Sequence, residues 1–439
     1  MNVFLDMVGC RLNQAEIEQM ARQLRAAGHT IVATSAEAEA VIVNTCMVTA
    51  QAASDSRQKI RQAARAGAEK IVVTGCWSTI MPTQAAELPN VLRVIPNQQK
   101  DNLVQEFLRL AHSPTVESEA ISSQSPHFDL EPISRKPIPG LRQRTRAFIK
   151  VQDGCDNACT FCITTVARGS SISRPAVDVI RDIQSALAGG TREIVLTGVH
   201  LGSWGQDYNQ HLGILVAQIL HETDTPRLRL SSLEPWDLGP DFFSLWEDPR
   251  LCPHLHLPLQ SGSAATLKRM LRKTSPDDFT DLVRSARRLI PGVAITTDLI
   301  AGFPGESETE FLQTLEFVKS IQFAGGHVFT YSARQGTPAA RIKEQVPHET
   351  RKQRNHLLQE TLKESAQNYR ESFLGQTLPV LWEASARQTV NGWEIEGLTA
   401  NYLRVTATSP QLRWNHLDAV KLTGITAEGV SGDIITMDI

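Results

Sequence analysis

No stretch of this 439-residue chain reaches 18 uncharged apolar residues. A membrane-spanning helix needs about 20 such residues, so none is expected. The uncharged run Ile71–Ala86 is broken by Pro82 and by hydroxyl side chains. A basic n-region is missing too, and Asp6 interrupts the first apolar run, so the N-terminus does not read as a signal peptide. Net charge is scarce: 44 basic side chains face 47 acidic ones, a formal −3. The chain is therefore no polycation, and any nucleic-acid contact must come from local basic patches. An even cysteine set is lacking as well. Seven cysteines in a long chain do not read as a disulfide scaffold, and metal binding in a reducing cytosol is the better expectation. What is present, 41% apolar and 21% charged residues, is ordinary globular composition, and at roughly 150 residues per domain it suggests about three domains.

Residues 1–112 alternate strands with helices. Strands are expected at Val3–Val8, Thr30–Thr34, Ala40–Thr45 and Lys70–Thr74. Asn13-Gln-Ala-Glu16 resembles a capping box opening a helix that stops at Gly28, and a second helix is expected near Thr49–Ala66. Such alternation predicts a parallel sheet of βαβ units. Residues 113–140 lose all periodicity and read as a linker with a basic end: Arg135, Lys136, Arg142, Arg144 and Arg146. Residues 141–374 resume the alternation, with strands at Phe148–Val151, Glu193–Thr197, Arg227–Ser231, His254–Leu259, Ala294–Ile300 and His327–Tyr331. That predicts a full or partial α/β barrel, trailed by an amphipathic helix from Pro347 to about Leu374. Residues 375–439 hold short strands between Gly, Asn and Pro turns, the pattern of a small antiparallel β-barrel.

Cys155, Cys159 and Cys162 form C-x3-C-x2-C. Three thiolates on one short loop can hold three irons of a 4Fe-4S cubane, leaving the fourth open. The amino and carboxylate groups of S-adenosylmethionine could fill that position. Zinc is the alternative, but its common spacing is paired C-x2-C. Cys10, Cys46 and Cys76 are far apart in sequence, yet each comes just after an expected parallel strand. The strand ends of such a sheet share one edge, so the three thiols should converge and could hold a second, again incomplete, cluster. Three separately buried thiols are the alternative.

The segment Cys155-Asp-Asn-Ala-Cys159-Thr-Phe-Cys162 resembles the radical S-adenosylmethionine signature, including the aromatic before the last cysteine. The resemblance implies that the backbone beside Phe161 contacts the cofactor's adenine. It implies that Leu196-Thr-Gly198-Val199 ends a strand near the cofactor's amino group, and that Asp298–Glu306, with Gly302 and Gly305, packs on the cofactor. Glu234, just past a strand end, and Gln260 are further cofactor candidates. Gly9-Cys10-Arg-Leu-Asn13-Gln14, Asn44-Thr-Cys46, Gly75-Cys76, Ala167-Arg168-Gly169, Gln260-Ser261-Gly262 and Phe329–Thr337 are together similar to the methylthiotransferases of that superfamily. This family joins a three-cysteine domain, a TIM-like radical barrel and a C-terminal TRAM barrel. Thr164-Thr165-Val166 stands where many members have Ile-Pro-Tyr.

The resemblance implies two 4Fe-4S clusters, S-adenosylmethionine, an electron donor, a sulfur source and a cytoplasmic setting. Its best match is the branch that methylthiolates carbon 2 of N6-threonylcarbamoyladenosine at position 37, in the tRNA anticodon loop. In that chemistry S-adenosylmethionine is cleaved to methionine and a 5′-deoxyadenosyl radical, which takes the hydrogen from carbon 2. No general base is expected, because an aromatic C–H has no usable acidity. Same-class rivals are isopentenyladenosine tRNA and a ribosomal-protein aspartate. The rival of another class is an RNA-binding protein with structural clusters. RNA-contact candidates are Arg142, Arg144 and Arg146, with Arg351, Lys352 and Arg354 on the long helix. From Gly375 on, four basic residues face seven acidic ones, so RNA contact there would rest on Trp393, Tyr402 and Trp414. Cys252 reads as a buried inert thiol, and His254 and His256 as packed histidines on one strand face.

Overall fold

A computed structural model describes residues 1–111 and 145–435; the expected linker and Arg142 and Arg144 lie outside them. Contacts divide the chain into two compact units. The first holds the described residues up to Asn157, then Cys162–Gly190 and Thr197–Val199. The second holds Ala158–Phe161, Thr191–Leu196 and the described residues from His200 on.

The first unit begins β1 (Asn2–Met7), α1 (Arg11–Ala26), β2 (Thr30–Ile31), β3 (Ala40–Thr45), α2 (Ala50–Arg65), β4 (Ile71–Gly75), α3 (Cys76–Ile80), α4 (Pro82–Ala86), β5 (Val91–Ile95) and α5 (Leu103–Ala111). Its five strands form one parallel sheet in the order β2-β1-β3-β4-β5. Alternate residues explain the layering. Val3, Leu5, Ile42 and Val72 pack one face against Ile17, Leu24 and Phe107 of α1 and α5. Phe4, Val41, Val43, Ile71 and Val73 pack the other against Ala53, Ile60 and Ala63 of α2. Each fully buried large aliphatic or Phe contributes about 1.5–3 kcal/mol by leaving water. The unit continues through β6 (Arg146–Lys150), β7 (Gln152–Asp153), α6 (Thr164–Arg168), β8 (Ile172–Ser173) and α7 (Ala176–Ala188).

The capping box expected at Asn13–Glu16 does not form. Gly9, at φ +112°, turns the chain early, and α1 starts at Arg11 with Cys10 as its uncapped N-cap residue. Asn13 and Glu16 therefore sit inside the helix, both buried.

The second unit carries all but the last residue of β9 (Glu193–Thr197), then α8 (Leu212–Glu222), β10 (Leu228–Leu230), β11 (His254–His256), α9 (Ala264–Arg269), α10 (Pro276–Leu289), β12 (Ala294–Ala301), α11 (Glu308–Ile321), β13 (Gly325–Thr330) and α12 (His348–Glu371). Here β9 pairs with β10, and β12 pairs with both β11 and β13, all parallel, and the parallel bridge Ser232–His256 joins the two sets. This is a partial α/β barrel. Ser275 with Asp278 and Ser307 with Glu310 form capping boxes that start α10 and α11.

Five more strands close a barrel in the order β14-β15-β16-β18-β17. They are β14 (Thr377–Thr389), β15 (Gly392–Thr399), β16 (Arg404–Ser409), β17 (Leu417–Ile425) and β18 (Val430–Ile434). Its core is Val380, Trp382, Ile395, Val405, Val420, Leu422 and Val430. One pair departs from the antiparallel expectation: β16 and β18 run parallel. Because β17 pairs with β14, the returning β18 falls beside β16 and runs with it. Among the described residues no helix is long and apolar enough to cross a membrane.

Candidate functional site

Three strands of the first unit each deliver a cysteine at the C-terminal edge. Met7 pairs with Asn44 and Thr45 with Gly75, so the turns after β1, β3 and β4 are neighbours. Gly9 and Gly75 are required there. A Cβ on Gly9 would lie 2.6 Å from the Cys46 Sγ, and one on Gly75 would strike the Thr45 backbone; both have positive φ. Cys46 and Cys76 are buried, whereas Cys10 keeps an exposed side.

The surroundings of the thiols are polar. The Val48 N–H donates to the Cys46 Sγ at 3.5 Å and the Asn97 amide to the Cys76 Sγ at 3.7 Å. The Cys10 thiol faces the Asn13 Oδ1 at 3.9 Å. Burial pushes the Cys46 thiol up to about 11, the charges of Cys10 and Cys76 add to the rise, and the Arg168 charge opposes it. Burial raises Cys10 as well, and here Arg168 is the leading opposing charge, whereas at Cys46 the Val48 N–H opposes the rise more than Arg168 does. The three thiols and one guanidinium thus share a single electrostatic site.

Arg168 ends α6, and its side chain is buried. It donates to Glu16 at 2.8 Å, to Asp153 at 2.8 Å and to the Asn13 Oδ1 at 2.9 Å. Lys100 reaches the Glu16 Oε2 at 2.8 Å, and Lys150 lies 3.8 Å from the Oε1. Burial alone would raise Glu16, yet Arg168, Lys100 and Lys150 together hold its carboxyl well below the usual range. Burial pulls Lys100 below the ordinary lysine value although Glu16 opposes this.

The donor set suits a polynuclear cluster. Its three donors are all sulfur, and a 4Fe-4S cubane takes thiolates one to an iron. The rim around Cys10, Cys46 and Cys76 also supplies N–H donors to sulfur, which such clusters use.

In the loop of the other three cysteines, Cys155 and Cys162 belong to the first unit and Cys159 to the second. The Cys155 N–H donates to the Gly169 carbonyl at 3.0 Å. The Asn157 N–H points at the Cys155 Sγ and the Thr164 N–H at the Cys162 Sγ, each at 3.4 Å. In the second unit Thr160 is pinned to the Met270 and Arg269 carbonyls, and Phe161 meets Phe303 edge-on at 6.4 Å.

Arg272 points an Nη at the Cys159 Sγ at 3.8 Å, chelates Glu234 at 2.6 and 3.2 Å, and lies 4.4 Å over the Trp236 ring. Glu234 therefore faces a buried cation rather than open solvent. Gln260, at φ +74°, straddles β12 through backbone bonds to Asp298 and Ile300. Gly302 follows the end of β12, donates its N–H to Glu306 at 3.0 Å and is overlaid by the Arg351 stem. Gly305 lies beside Arg269. In the first unit Gly198 lies against the Gln152 side chain.

The cations expected to grip RNA divide. Arg354 is buried and committed to Glu306 at 2.7 Å and Glu308 at 2.8 Å, so it is a structural tie and not a free phosphate contact. Arg351 donates to the Tyr331 carbonyl at 2.6 Å. Lys352 is exposed, 4.0 Å from Glu349. Arg146 is half-buried on β6. Tyr402 is no exposed platform, since its ring stacks on His254 at 4.4 Å. His254 and His256 share the Thr296 hydroxyl, and Cys252 is buried, as expected. Sequence reasoning missed the Glu16–Lys100–Lys150–Asp153 network, the Arg272–Trp236 pair and a hollow of about 340 Å³ lined by Lys268, Arg272 and Lys273. Arg168 had a signal, the Ala-Arg-Gly motif, but no assigned role.

Residues 149–318 match the radical SAM superfamily, and residues 2–95 match the uncharacterized protein family UPF0004. A solved structure of the radical S-adenosylmethionine methyltransferase TsrM from Kitasatospora setae shares the fold at TM-score 0.56 and 15% identity, over 77% of this chain and 75% of that one. The fold and the cysteine loop thus define a radical SAM protein, a class that uses S-adenosylmethionine and a 4Fe-4S cluster. The Bacillus subtilis threonylcarbamoyladenosine tRNA methylthiotransferase MtaB is 34% identical over 91% of this chain and 88% of its own. Its namesake from Thermotoga maritima is 36% identical over 87% and 86%. The chain belongs to the radical SAM methylthiotransferase family and is an enzyme of that class.

Proposed function

We propose that this enzyme adds a methylthio group to carbon 2 of N6-threonylcarbamoyladenosine at position 37 of tRNA. The activity for which the Bacillus and Thermotoga relatives are named supports the substrate. The observation that carries the reading is the gathering of Cys10, Cys46 and Cys76 at one sheet edge beside Arg168. This gives the chain a second sulfur-rich site besides the radical SAM loop.

In this reading Cys155, Cys159 and Cys162 hold the cluster that binds S-adenosylmethionine, and Cys10, Cys46 and Cys76 hold an auxiliary 4Fe-4S cluster. When bound, these groups supply the radical and the sulfur that acid–base side chains cannot. Phe161, Gly198, Glu234, Gln260, Gly302 and Gly305 line the cofactor. Glu234 orients Arg272 toward Cys159, which fixes a positive charge beside that thiolate. The working organisation is residues 1–112 for the auxiliary site, 113–140 as linker, 141–374 for radical chemistry and 375–439 for tRNA contact. A cytoplasmic electron donor and sulfur source complete the reaction.

Mass spectrometry of tRNA nucleosides from a deletion strain tests the substrate. Loss of 2-methylthio-N6-threonylcarbamoyladenosine, with its unthiolated precursor accumulating, is expected. Loss of the isopentenyl-derived nucleoside instead, or of a ribosomal-protein modification, would reassign it. Anaerobically reconstituted protein should hold about eight irons, and about four when Cys155, Cys159 and Cys162 are all changed to Ala.

A further inference from the structure

The sharpest feature outside the ligand sets is the charge behind the auxiliary site. Two asparagines tie α6 to the thiols. The Asn97 amide donates both to the Ala167 carbonyl at 2.8 Å and toward the Cys76 Sγ at 3.7 Å. The Asn13 Oδ1 accepts from Arg168 at 2.9 Å and faces the Cys10 Sγ at 3.9 Å. The Arg168 guanidinium is consequently held at the thiols by groups that themselves touch sulfur.

Arg168 belongs to a network of three cations and three carboxylates: Lys100 and Lys150 join it at the buried Glu16, Asp153 takes Arg168 and Lys150, and the largely exposed Asp101 lies 3.7 Å from Lys150. Within that network the guanidinium is the cation whose charge acts on both Cys10 and Cys46. A cubane with three thiolate ligands is net anionic and becomes more so on reduction. Net charge and hydrogen bonds near the sulfurs set the potential of such clusters. A guanidinium fixed at the thiols therefore favours the more negative, reduced cluster. Arginine suits this task, because it cannot give up its proton under any working condition.

We propose that Arg168 is a positioning residue of the auxiliary site: its guanidinium is the fixed counter-charge of the Cys10–Cys46–Cys76 cluster and raises the cluster's reduction potential. The proposal rests on the two-cluster reading above. The reduction concerned adds one electron, from dithionite in the test, and moves no proton.

The test uses the full chain with Cys155, Cys159 and Cys162 all changed to Ala, so that only the auxiliary cluster remains, and follows its reduction by electron paramagnetic resonance. Arg168→Gln should raise the oxidised-to-reduced ratio at any fixed potential by about tenfold, or about 59 mV for a one-electron couple. Arg168→Lys should restore most of the shift. Asp153→Asn, which removes a partly exposed carboxylate from the network, should move the potential the other way. That variant decides the matter if Arg168→Gln fails to load iron. Equal potentials in Arg168→Gln, Asp153→Asn and the parent, with iron retained, would make Arg168 a mere staple of α6 and overturn the proposal. Absence of iron from the parent itself would instead sink the two-cluster reading, and the proposal with it.

Discussion

Glu16 shows how much one residue can carry. It receives Arg168, Lys100 and Lys150 in a site closed to water. Replacing it with Gln leaves Lys100 buried without its anion and Arg168 with Asp153 alone, a loss of about 3–5 kcal/mol at neutral pH. The folded-state pKa lies well below the unfolded value of about 4.3, so the contribution is fully present above that value and is lost as pH falls through the folded pKa. Urea unfolding should therefore show a large Glu16→Gln deficit at pH 7 that shrinks below about pH 4. A deficit of constant size down to acid pH would show that Glu16 acts by packing alone. Cys46 offers a different single-residue test. Cys46→Ala should still release 5′-deoxyadenosine from S-adenosylmethionine under dithionite but form no methylthio product. If cleavage also vanished with the Cys155 cluster intact, the division of labour between the two cysteine sets would be wrong.

At the scale of elements, the C-terminal barrel is held by the entry to β10. Arg227 and Arg229, two apart and on one face, share the fully buried Glu193 at 2.7 Å each. The two Nη of Arg227 and the Nη1 of Arg229 also donate to the carbonyls of Leu398, Thr399 and Ala400 at 2.8–2.9 Å. Tyr402 follows at φ +68°, sandwiched between His254 and the Arg229 guanidinium. Arg229→Met should cost about 3–5 kcal/mol, because it removes half of a buried ion set. It should also speed proteolysis near Ser372–Gln376, where α12 hands over to the barrel. Unchanged cleavage would mean that the barrel is held by its apolar contacts instead. None of this docking was legible in the sequence, since Arg227 meets its carbonyl partner 171 residues away. What was legible was periodic or local. Glu193–Thr197 was expected as a strand and is one, and the three strand-end cysteines converge as βαβ spacing required. Asn13 and Glu16 were misread because the same residues that cap a helix can, one turn inside it, face a buried site. Arg168 and Glu16 are 152 residues apart, and no local pattern links them.

For the whole molecule, a formal charge of −3 means that tRNA affinity must rest on a few placed cations. Phosphate neutralisation releases counterions, so each neutralised phosphate adds to the slope of log affinity against log salt. Arg354 drops out of that set, since its charge is spent on Glu306 and Glu308. Lys352 stays, and Lys268 and Lys273 at the hollow join it as exposed candidates, with Arg142, Arg144 and Arg146 retained from the sequence. Changing Lys268 and Lys273 together to Ser should weaken tRNA binding and flatten the slope by roughly 0.7–0.9 for every phosphate left without its cation. Changing Arg142, Arg144 and Arg146 together should do the same, and S-adenosylmethionine cleavage without RNA should survive that change. Removing residues 376–439 would be a poor control, because it strips the partners from Arg227 and Arg229 and so disturbs the core it is meant to leave alone. Trp393 packs against the barrel core and is no clean probe, so Trp414→Ala separates stacking from charge: affinity should fall while the slope holds, since stacking involves no counterion. The measurement is tRNA binding across a salt series for the wild type and these variants. Salt-independent binding by the wild type would sink the tRNA reading, and modification of a ribosomal protein by an enzyme that binds no tRNA would put its rival in its place.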